Sequence, residues 1–315
     1  MDENPLVSII IPTHNRKKQV ERLINSILEN TYKNIEIIVV DDASTDRTYE
    51  YLKEKFDNLT DFKIVKNDKN LLLASSRNKG INLSKGKLIF LIDDDNVLDK
   101  NCIENLVKLI TSNNKIGMVG PIMYYWKDKK RIWWAGTKRD MMTSRTYFVG
   151  RDLPLPNEEV WETDDFPNAF MIKREIIKKI GMFDDKIFAI QYDEADFGMR
   201  VRKKKYKCLV VRNAVIYHDM SLPEEMNKDR QFHVYDEKRA YYMGRNRIIF
   251  HKKYSKWWQF LTFILVFNWL VAGYYLKVIL FESEKPFGER IKIAVSYIKG
   301  ILSGLNFIYL KIWVK

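Results

Sequence analysis

Residues 35–48 read IEIIVVDDASTDRT, and residues 88–96 read LIFLIDDDN. In both stretches an unbroken apolar run, short and rich in β-branched side chains, stops abruptly at a block of carboxylates. Such a run predicts a strand buried on both faces. Working outward, Val7-Ser8-Ile9-Ile10-Ile11 is a third run of this kind, ended by Pro12. Between the first two strands in the chain, Val20, Leu23, Ile24, Ile27 and Leu28 recur at helical spacing, while Arg16, Lys17, Lys18, Glu21 and Arg22 fall elsewhere on the wheel. Asn15 is placed to cap that helix. Strand, helix, strand forces a parallel pair with a right-handed crossover. Phe62–Val65 and Ile116–Val119 are further strand candidates, with helices expected at Leu73–Leu83 and Asn101–Ile110. The economical architecture is an open α/β sheet.

In such sheets the ligand lies beyond the carboxyl ends of the strands. Asp41-Asp42 and Asp93-Asp94-Asp95 occupy that place. If the triplet stays extended, Asp93 and Asp95 share one face and Asp94 the other. Carboxylates so crowded repel one another unless a cation or hydrogen-bond donors compensate, and hard ions such as Mg2+ or Mn2+ take this donor set. An acidic cluster is otherwise an ordinary solvated turn. Two strands ending in the same chemistry favour a functional reading.

The 315 residues carry 54 Lys and Arg against 41 Asp and Glu, a formal charge of +13. That excess is local: residues 1–197 hold 31 basic and 32 acidic side chains, whereas residues 198–256 hold 16 and 6. A nucleic-acid-binding protein using the 198–256 region is the alternative of another class, but a basic belt serves membranes equally well. The next stretch of chain favours lipid. From Trp257 to Leu276 no residue is charged. At about 1.5 Å per residue the run is about 30 Å long, the thickness of a bilayer core. Basic residues precede it and Trp257, Trp258, Tyr274 and Tyr275 lie near its ends, a pattern that puts the basic side in the cytoplasm. Residues 257–281 therefore either span the membrane or lie in its plane. A second apolar run, Ile291–Val314, is broken by Lys292, Lys299 and Lys311 and is a weaker span or a surface helix. Cys102 and Cys208 are too few for a disulfide framework, and the acidic opening Met1-Asp2-Glu3-Asn4 lacks the form of a secretion signal.

Several segments in order, VSIIIPTHNR (7–16), IEIIVVDDASTDRT (35–48), ASSRNKG (74–80), LIDDDN (91–96), NAFMIKRE (168–175), YDEADFGMRVR (192–202), VIYH (215–218) and YYMGRNR (241–247), resemble the family 2 glycosyltransferases, with the arrangement of the rhamnosyltransferase-like branch. The resemblance covers roughly residues 5–250. It implies a GT-A fold, a Rossmann-like mixed sheet flanked by helices, with C-terminal membrane-associated helices. It divides the chain into a catalytic domain, 1–250, whose donor half is 1–120 and acceptor half 121–250, and a membrane-associated region, 251–315.

Carried onto this sequence, the resemblance gives each residue an expected role. Asp42 would accept from the imide N–H of a uracil or thymine base. Pro12, Thr13 and Asn15 would lie near the nucleoside, Arg77 and Asn78 near the base or pyrophosphate, and Asp93 and Asp94 by the ribose and sugar. Asp95, last of the DxD signature, would hold the divalent metal, Mn2+ or Mg2+. His218 is either a further metal ligand or a structural histidine. In Asp193-Glu194-Ala195-Asp196 the first two acids are interchanged relative to the usual ED order. The base is then Glu194 by position, with Asp193 the alternative, and inversion at the anomeric carbon is the stereochemical result. Where the family commonly has glycine, this chain has Ala43 and Leu71-Leu72-Leu73, which leaves the donor-loop geometry open. The implied substrates are a UDP- or dTDP-sugar and a hydroxyl acceptor at the cytoplasmic membrane face, in the assembly of a glycan or a polyprenol-linked saccharide, or in a second reading a polyprenyl phosphate. No nucleic acid is expected. Trp126, Trp133, Trp134 and Trp161 are read chiefly as core or lid packing.

Overall fold

The computed structural model describes residues 4–313. They divide into two compact units. The first comprises residues 4–138, 147–185 and 193–220, and the second residues 139–146, 186–192 and 221–313.

The first unit is built on one mixed sheet. Its strands are β1 (Val7–Thr13), β2 (Ile35–Asp41), β3 (Phe62–Lys66), β4 (Leu88–Ile92), β5 (Asn96–Leu98), β6 (Ile116–Tyr125), β7 (Ile132–Trp134), β8 (Val160–Glu162), β9 (Ala169–Lys173) and β10 (Lys207–His218). Their order across the sheet is β8-β10-β6-β9-β4-β1-β2-β3, with β5 paired to β10 and β7 to β6. β3, β2, β1 and β4 are mutually parallel, in the register Val7↔Ile35 and Val7↔Leu88. β9 is antiparallel to both β4 and β6, and β6 and β10 are again parallel. Hence the carboxyl ends of β1, β2, β4 and β10 and the amino end of β9 share one edge of the sheet.

Every residue of β1 and β4 is buried, as continuous apolar runs require. Helices α1 (Lys17–Leu28), α2 (Thr48–Phe56), α3 (Leu73–Leu83), α4 (Cys102–Ser112), α5 (Arg174–Ile180) and α6 (Asp193–Lys203) complete the unit. Of the α1 stripe read from sequence, Val20, Leu23, Ile24 and Ile27 are buried, whereas Leu28, the last residue of the helix, is exposed. Trp134 and Trp161 are core residues of this unit, and both cysteines are free and buried. α3 lies very close to β1, because a Cβ on Gly80 would stand 2.3 Å from Ile10 Cγ2. That approach fixes the helix whose preceding turn carries Arg77.

The second unit has α7 (Glu237–Tyr254), capped by Asp236, whose side chain accepts from Arg239 N. It continues with α8 (Trp257–Phe281), which contains a π-helical turn at Phe263–Phe267, and α9 (Phe287–Trp313). α8 and α9 are long and apolar enough to cross a membrane by length and composition. α7 and α9 touch backbone to backbone at Gly300, where a Cβ would stand 2.1 Å from the Tyr241 carbonyl oxygen. Gly304, one turn on, extends this small-residue contact. Arg247 is buried in the unit, donating to Tyr297 Oη at 2.9 Å and lying 5.5 Å from the Tyr275 ring centre.

Gly80→Ala tests the close α3–β1 packing. Overpacking there is expected to cost about 1–3 kcal/mol, read as a lower urea midpoint with an unchanged slope. An unchanged midpoint would show that α3 moves off β1 freely.

Candidate active site

The strand-end edge gathers the expected residues from the ends of four strands, the start of β9, and helices α3 and α6. At the end of β2, Asp41 turns inward: it is wholly buried, and its Oδ1 accepts from Ser44 N at 3.1 Å. Asp42 N donates to Thr13 O at 2.8 Å, which places the next carboxylate beside the end of β1. That carboxylate accepts from Asn67 Nδ2 at 2.7 Å, Leu71 N at 2.8 Å and Leu72 N at 2.9 Å. Carboxylate oxygens offer about four acceptor positions, so one direction is still open for a ligand donor.

Both positions that lack the family's glycine keep a glycine-like backbone. Ala43 has φ 61° and Leu72 has φ 72° with ψ 172°, a region costing about 1–3 kcal/mol for a side-chain-bearing residue. The two amide bonds to Asp42 hold this strained loop in place. Asn15 departs from expectation. The α1 N-cap position is Arg16, with no side-chain cap bond, and Asn15 instead adopts φ 56° and accepts from Thr45 N at 2.7 Å. The short Asn side chain tolerates the left-handed conformation and so serves the loop after β2 rather than the helix.

The triplet does not stay extended. β4 ends at Ile92 and the chain turns at Asp94-Asp95 before β5, so each carboxylate meets a different set of donors. Asp93 pairs with Arg77 at 2.8 Å. Asp94 accepts from Thr13 Oγ1 at 2.7 Å and from Arg16 at 3.0 Å. Asp95 accepts from Arg16 at 2.7 Å and faces His218 Nε2 across 3.3 Å. Repulsion favours the turn: Asp93 points to Arg77, while Asp94 and Asp95 share Arg16 and Asp95 also faces His218. Burial raises Asp94 to about 7 despite Arg16. Burial also pushes Asp95 upward, but His218 and Arg16 outweigh it and hold that carboxyl below the usual carboxylate range.

Asp95 and His218 fit a hard divalent ion. Asp95 Oδ1 and His218 Nδ1 are buried with no hydrogen-bond partner, and Asp95 Oδ1 and His218 Nε2 are spaced as two ligands of one ion would be. The Trp133 ring packs edge-on against the imidazole at 4.3 Å between centroids. No third His, Cys, Asp or Glu completes a metal cluster among the described residues. Two protein ligands are the donor set expected when substrate phosphates complete the shell.

Arg77 is completely buried and answers three carboxylates. It reaches Asp93 at 2.8 Å, Asp193 at 3.0 Å and Glu194 at 2.7 Å. Asp193 and Glu194 open α6, where the helix N-terminus also favours negative charge. Asn168 N, at φ 73°, donates to Glu194 Oε1 at 2.8 Å, and Asp93 N donates to Asn168 O at 3.0 Å. Burial, opposed by Arg77, raises Glu194 to about 8, and burial likewise raises Asp93 and Asp193. The Asp193 side chain is 3% exposed and that of Glu194 21%, so Glu194 is the acid that a substrate can reach.

Arg16 thus joins Asp94, which holds Thr13, to Asp95, which faces His218, while Arg77 joins Asp93, Asp193 and Glu194. Pro12 is buried in β1 opposite Val40. Asn78 is not gathered into either set; its amide exchanges hydrogen bonds with the Phe183 backbone at 2.9 and 3.0 Å. Asp196 pairs with Arg200 one turn along α6 at 2.8 Å. Sequence reading assigns no role in the site to Arg16, Asn67 or Asn168. Arg16 and Asn168 carry a signal, each standing at the end of a strand-edge motif.

The fold and the edge site define a glycosyltransferase of the GT-A type. The family model described as glycosyl transferase family 2 matches residues 8–181, more than half of the chain, and the chain belongs to that family. An uncharacterised glycosyltransferase of Methanocaldococcus jannaschii is 23% identical over 90% of this chain and 95% of its own length. An uncharacterised glycosyltransferase of Haemophilus influenzae is 36% identical, but the match covers 38% of this chain and only 37% of that relative. Among solved structures, a mannosyltransferase from Pyrobaculum calidifontis in complex with GDP-Man and Mn2+ has a similar fold, with TM-score 0.58, 17% identity and coverage of 96% of this chain and 87% of that one.

Arg77→Met leaves three buried carboxylates without their cation and is expected to cost about 3–5 kcal/mol at neutral pH. The raised pKa values of Asp93, Asp193 and Glu194 mean that the folded state holds protons more tightly than the unfolded one. Stability of the variant should therefore recover as pH falls from about 8 toward the ordinary carboxylate range. Urea unfolding across that range measures it, and a deficit independent of pH would show that the loss is one of packing alone.

Proposed function

We propose that the protein is an inverting, metal-dependent glycosyltransferase that moves a sugar from a UDP- or dTDP-sugar to a hydroxyl acceptor at the cytoplasmic face of a membrane. The observation that supports this reading is the pairing, on one sheet edge, of Asp95 and His218, 3.3 Å apart, with a separate and more exposed carboxylate of raised proton affinity, Glu194. Asp95 and His218 would hold Mn2+ or Mg2+, which when bound offsets the charge gained by the leaving diphosphate. Asp42, with its remaining acceptor direction, would bind the imide N–H of the base. Thr13 fixes Asp94, and Arg16 screens Asp94 and Asp95 until the diphosphate arrives.

Glu194 is the base. Its carboxylate takes the proton of the acceptor hydroxyl as that oxygen attacks the anomeric carbon, and the bond from that carbon to the diphosphate oxygen breaks on the opposite face. Configuration inverts. Arg77 and Asn168 N hold Glu194 in position, while the more buried Asp193 balances the Arg77 charge. The basic residues Lys252, Lys253 and Lys256 and the outward apolar side chains of α8 and α9 support a reaction at an anionic leaflet.

Transfer is tested by incubating UDP-, dTDP- and GDP-sugars with the membrane-bound enzyme, with and without Mn2+, and identifying the product as an extended glycan or a lipid phosphosugar. Glu194→Gln should lower kcat/KM by about 100-fold to 10,000-fold and leave donor binding intact. Asp95→Asn should instead abolish the metal dependence of donor binding. Unchanged turnover in both variants would overturn the assignment. Since Glu194 must be ionised to act and its pKa lies at about 8, kcat/KM should rise with pH through about 8. A profile flat across that range would argue against this base.

A further inference from the structure

The contacts of α7, more than the length of α8, decide how the second unit meets lipid. We infer that α8 and α9 form an in-plane hairpin in one leaflet and that neither helix crosses the bilayer. This rests on the membrane reading proposed above and goes beyond it.

α8 runs back beside α7, meeting its C-terminal half and then the segment that precedes it. His251 stacks on Phe263 with ring centres 3.9 Å apart, Arg247 lies against Tyr275, and Lys228 and Asp229, which precede α7, bind Glu282 and Ser283 after α8 at 2.9 and 2.7 Å. α9 then runs beside α7 in the same direction. Ser296 donates to Glu237 O at 2.7 Å, and Tyr241 donates to Ser303 at 2.9 Å. The three helices therefore run along one direction, with the Tyr275 and Tyr297 rings stacked 5.6 Å apart between α8 and α9.

α7 itself cannot enter the bilayer core. It carries Glu237, Lys238, Arg239, Arg245, Arg247, Lys252 and Lys253, and two short segments, 139–146 and 186–192, are hydrogen-bonded to its C-terminal half. Arg245 donates to Ile187 O at 2.8 Å, Asn246 donates to Ile190 O at 3.0 Å, and His251 Nε2 lies 2.9 Å from Ser144 Oγ. Gln191 ties the chain just before α7 by donating to His233 O at 3.0 Å. The segments 139–146 and 186–192 each leave the first unit and return to it within a few residues, so both ends of each lie on the same side of any membrane. α7 is thereby held at the water side at its middle, at its C-terminal end and through the segment just before it, and α8 and α9 lie beside it.

The outward faces agree. Trp257, Leu265 and Trp269 on α8, and Val295, Ile298 and Leu302 on α9, are large, apolar and exposed. Exposed Lys299 lies among them near the middle of the 27-residue α9. A crossing α9 would put that ammonium at mid-bilayer on a face turned to lipid, whereas a helix in the plane lets it reach the headgroups. The partner is the interface of a bilayer containing anionic lipid.

The test uses the full chain expressed in a bacterial host, with single cysteines introduced as Lys238→Cys before the middle of α7 and Glu284→Cys in the α8–α9 turn. Both positions are exposed, and native Cys102 and Cys208 are buried. Sealed inside-out and right-side-out vesicles of the host inner membrane are treated with a membrane-impermeant maleimide. An in-plane hairpin predicts that both cysteines label in inside-out vesicles and that neither labels in right-side-out vesicles until these are lysed. Labelling of Glu284→Cys from the opposite side to Lys238→Cys overturns the in-plane arrangement while leaving the membrane reading standing. Recovery of the protein outside the membrane fraction, with no flotation on phosphatidylglycerol vesicles, overturns both, and sugar transfer is measured separately from either result.

Discussion

The site depends on one fully buried guanidinium. Arg77 on α3 binds Asp93 after β4 and both Asp193 and Glu194 at the head of α6, three carboxylates drawn from two distant parts of the chain. Burying a lone charge is prohibitive and burying several carboxylates together is worse. Each side of this cluster is tolerable only because the other is present. The arrangement ties the end of β4 to the head of α6, and burial, aided by the neighbouring carboxylates and opposed by Arg77, raises Glu194 to about 8. Gly80 permits it by letting α3 settle on Ile10.

A second constraint acts at Asp42. A carboxylate that already accepts from Asn67, Leu71 and Leu72 is a structural clamp before it is a ligand-binding group. It holds Leu72 in a backbone region that glycine would enter without strain. Without glycine, the loop keeps this backbone with the help of the Leu71 and Leu72 amide bonds to the Asp42 carboxylate. Strain of this sort gathers where a ligand is gripped.

Much of the fold is legible in the sequence. Unbroken apolar runs mark the parallel strands, and the stripe on α1 marks its buried face, because both patterns arise from burial alone. β9 is harder to read: Ala169–Lys173 is an equally buried run, but its antiparallel insertion between β4 and β6 is a matter of long-range pairing that no local pattern encodes. The turn at Asp94-Asp95 escapes sequence reading for a related reason. Period-two alternation presumes that the strand continues, and it stops where Arg77 draws Asp93 one way while Arg16 and His218, also distant in sequence, draw Asp94 and Asp95 another.

By itself the sequence determined which groups stand at the strand ends, that charge concentrates after residue 197, and that an uncharged run of membrane length lies beyond it. These are properties of composition and order along the chain. Tertiary structure alone decided that Glu194 is more open than Asp193, that Asn15 serves a loop rather than a helix, and that α8 lies along a charged helix. Exposure, donor partners and helix alignment all depend on which distant residues arrive alongside, and a hydrophobic run reads the same whether it crosses a bilayer or lies upon it.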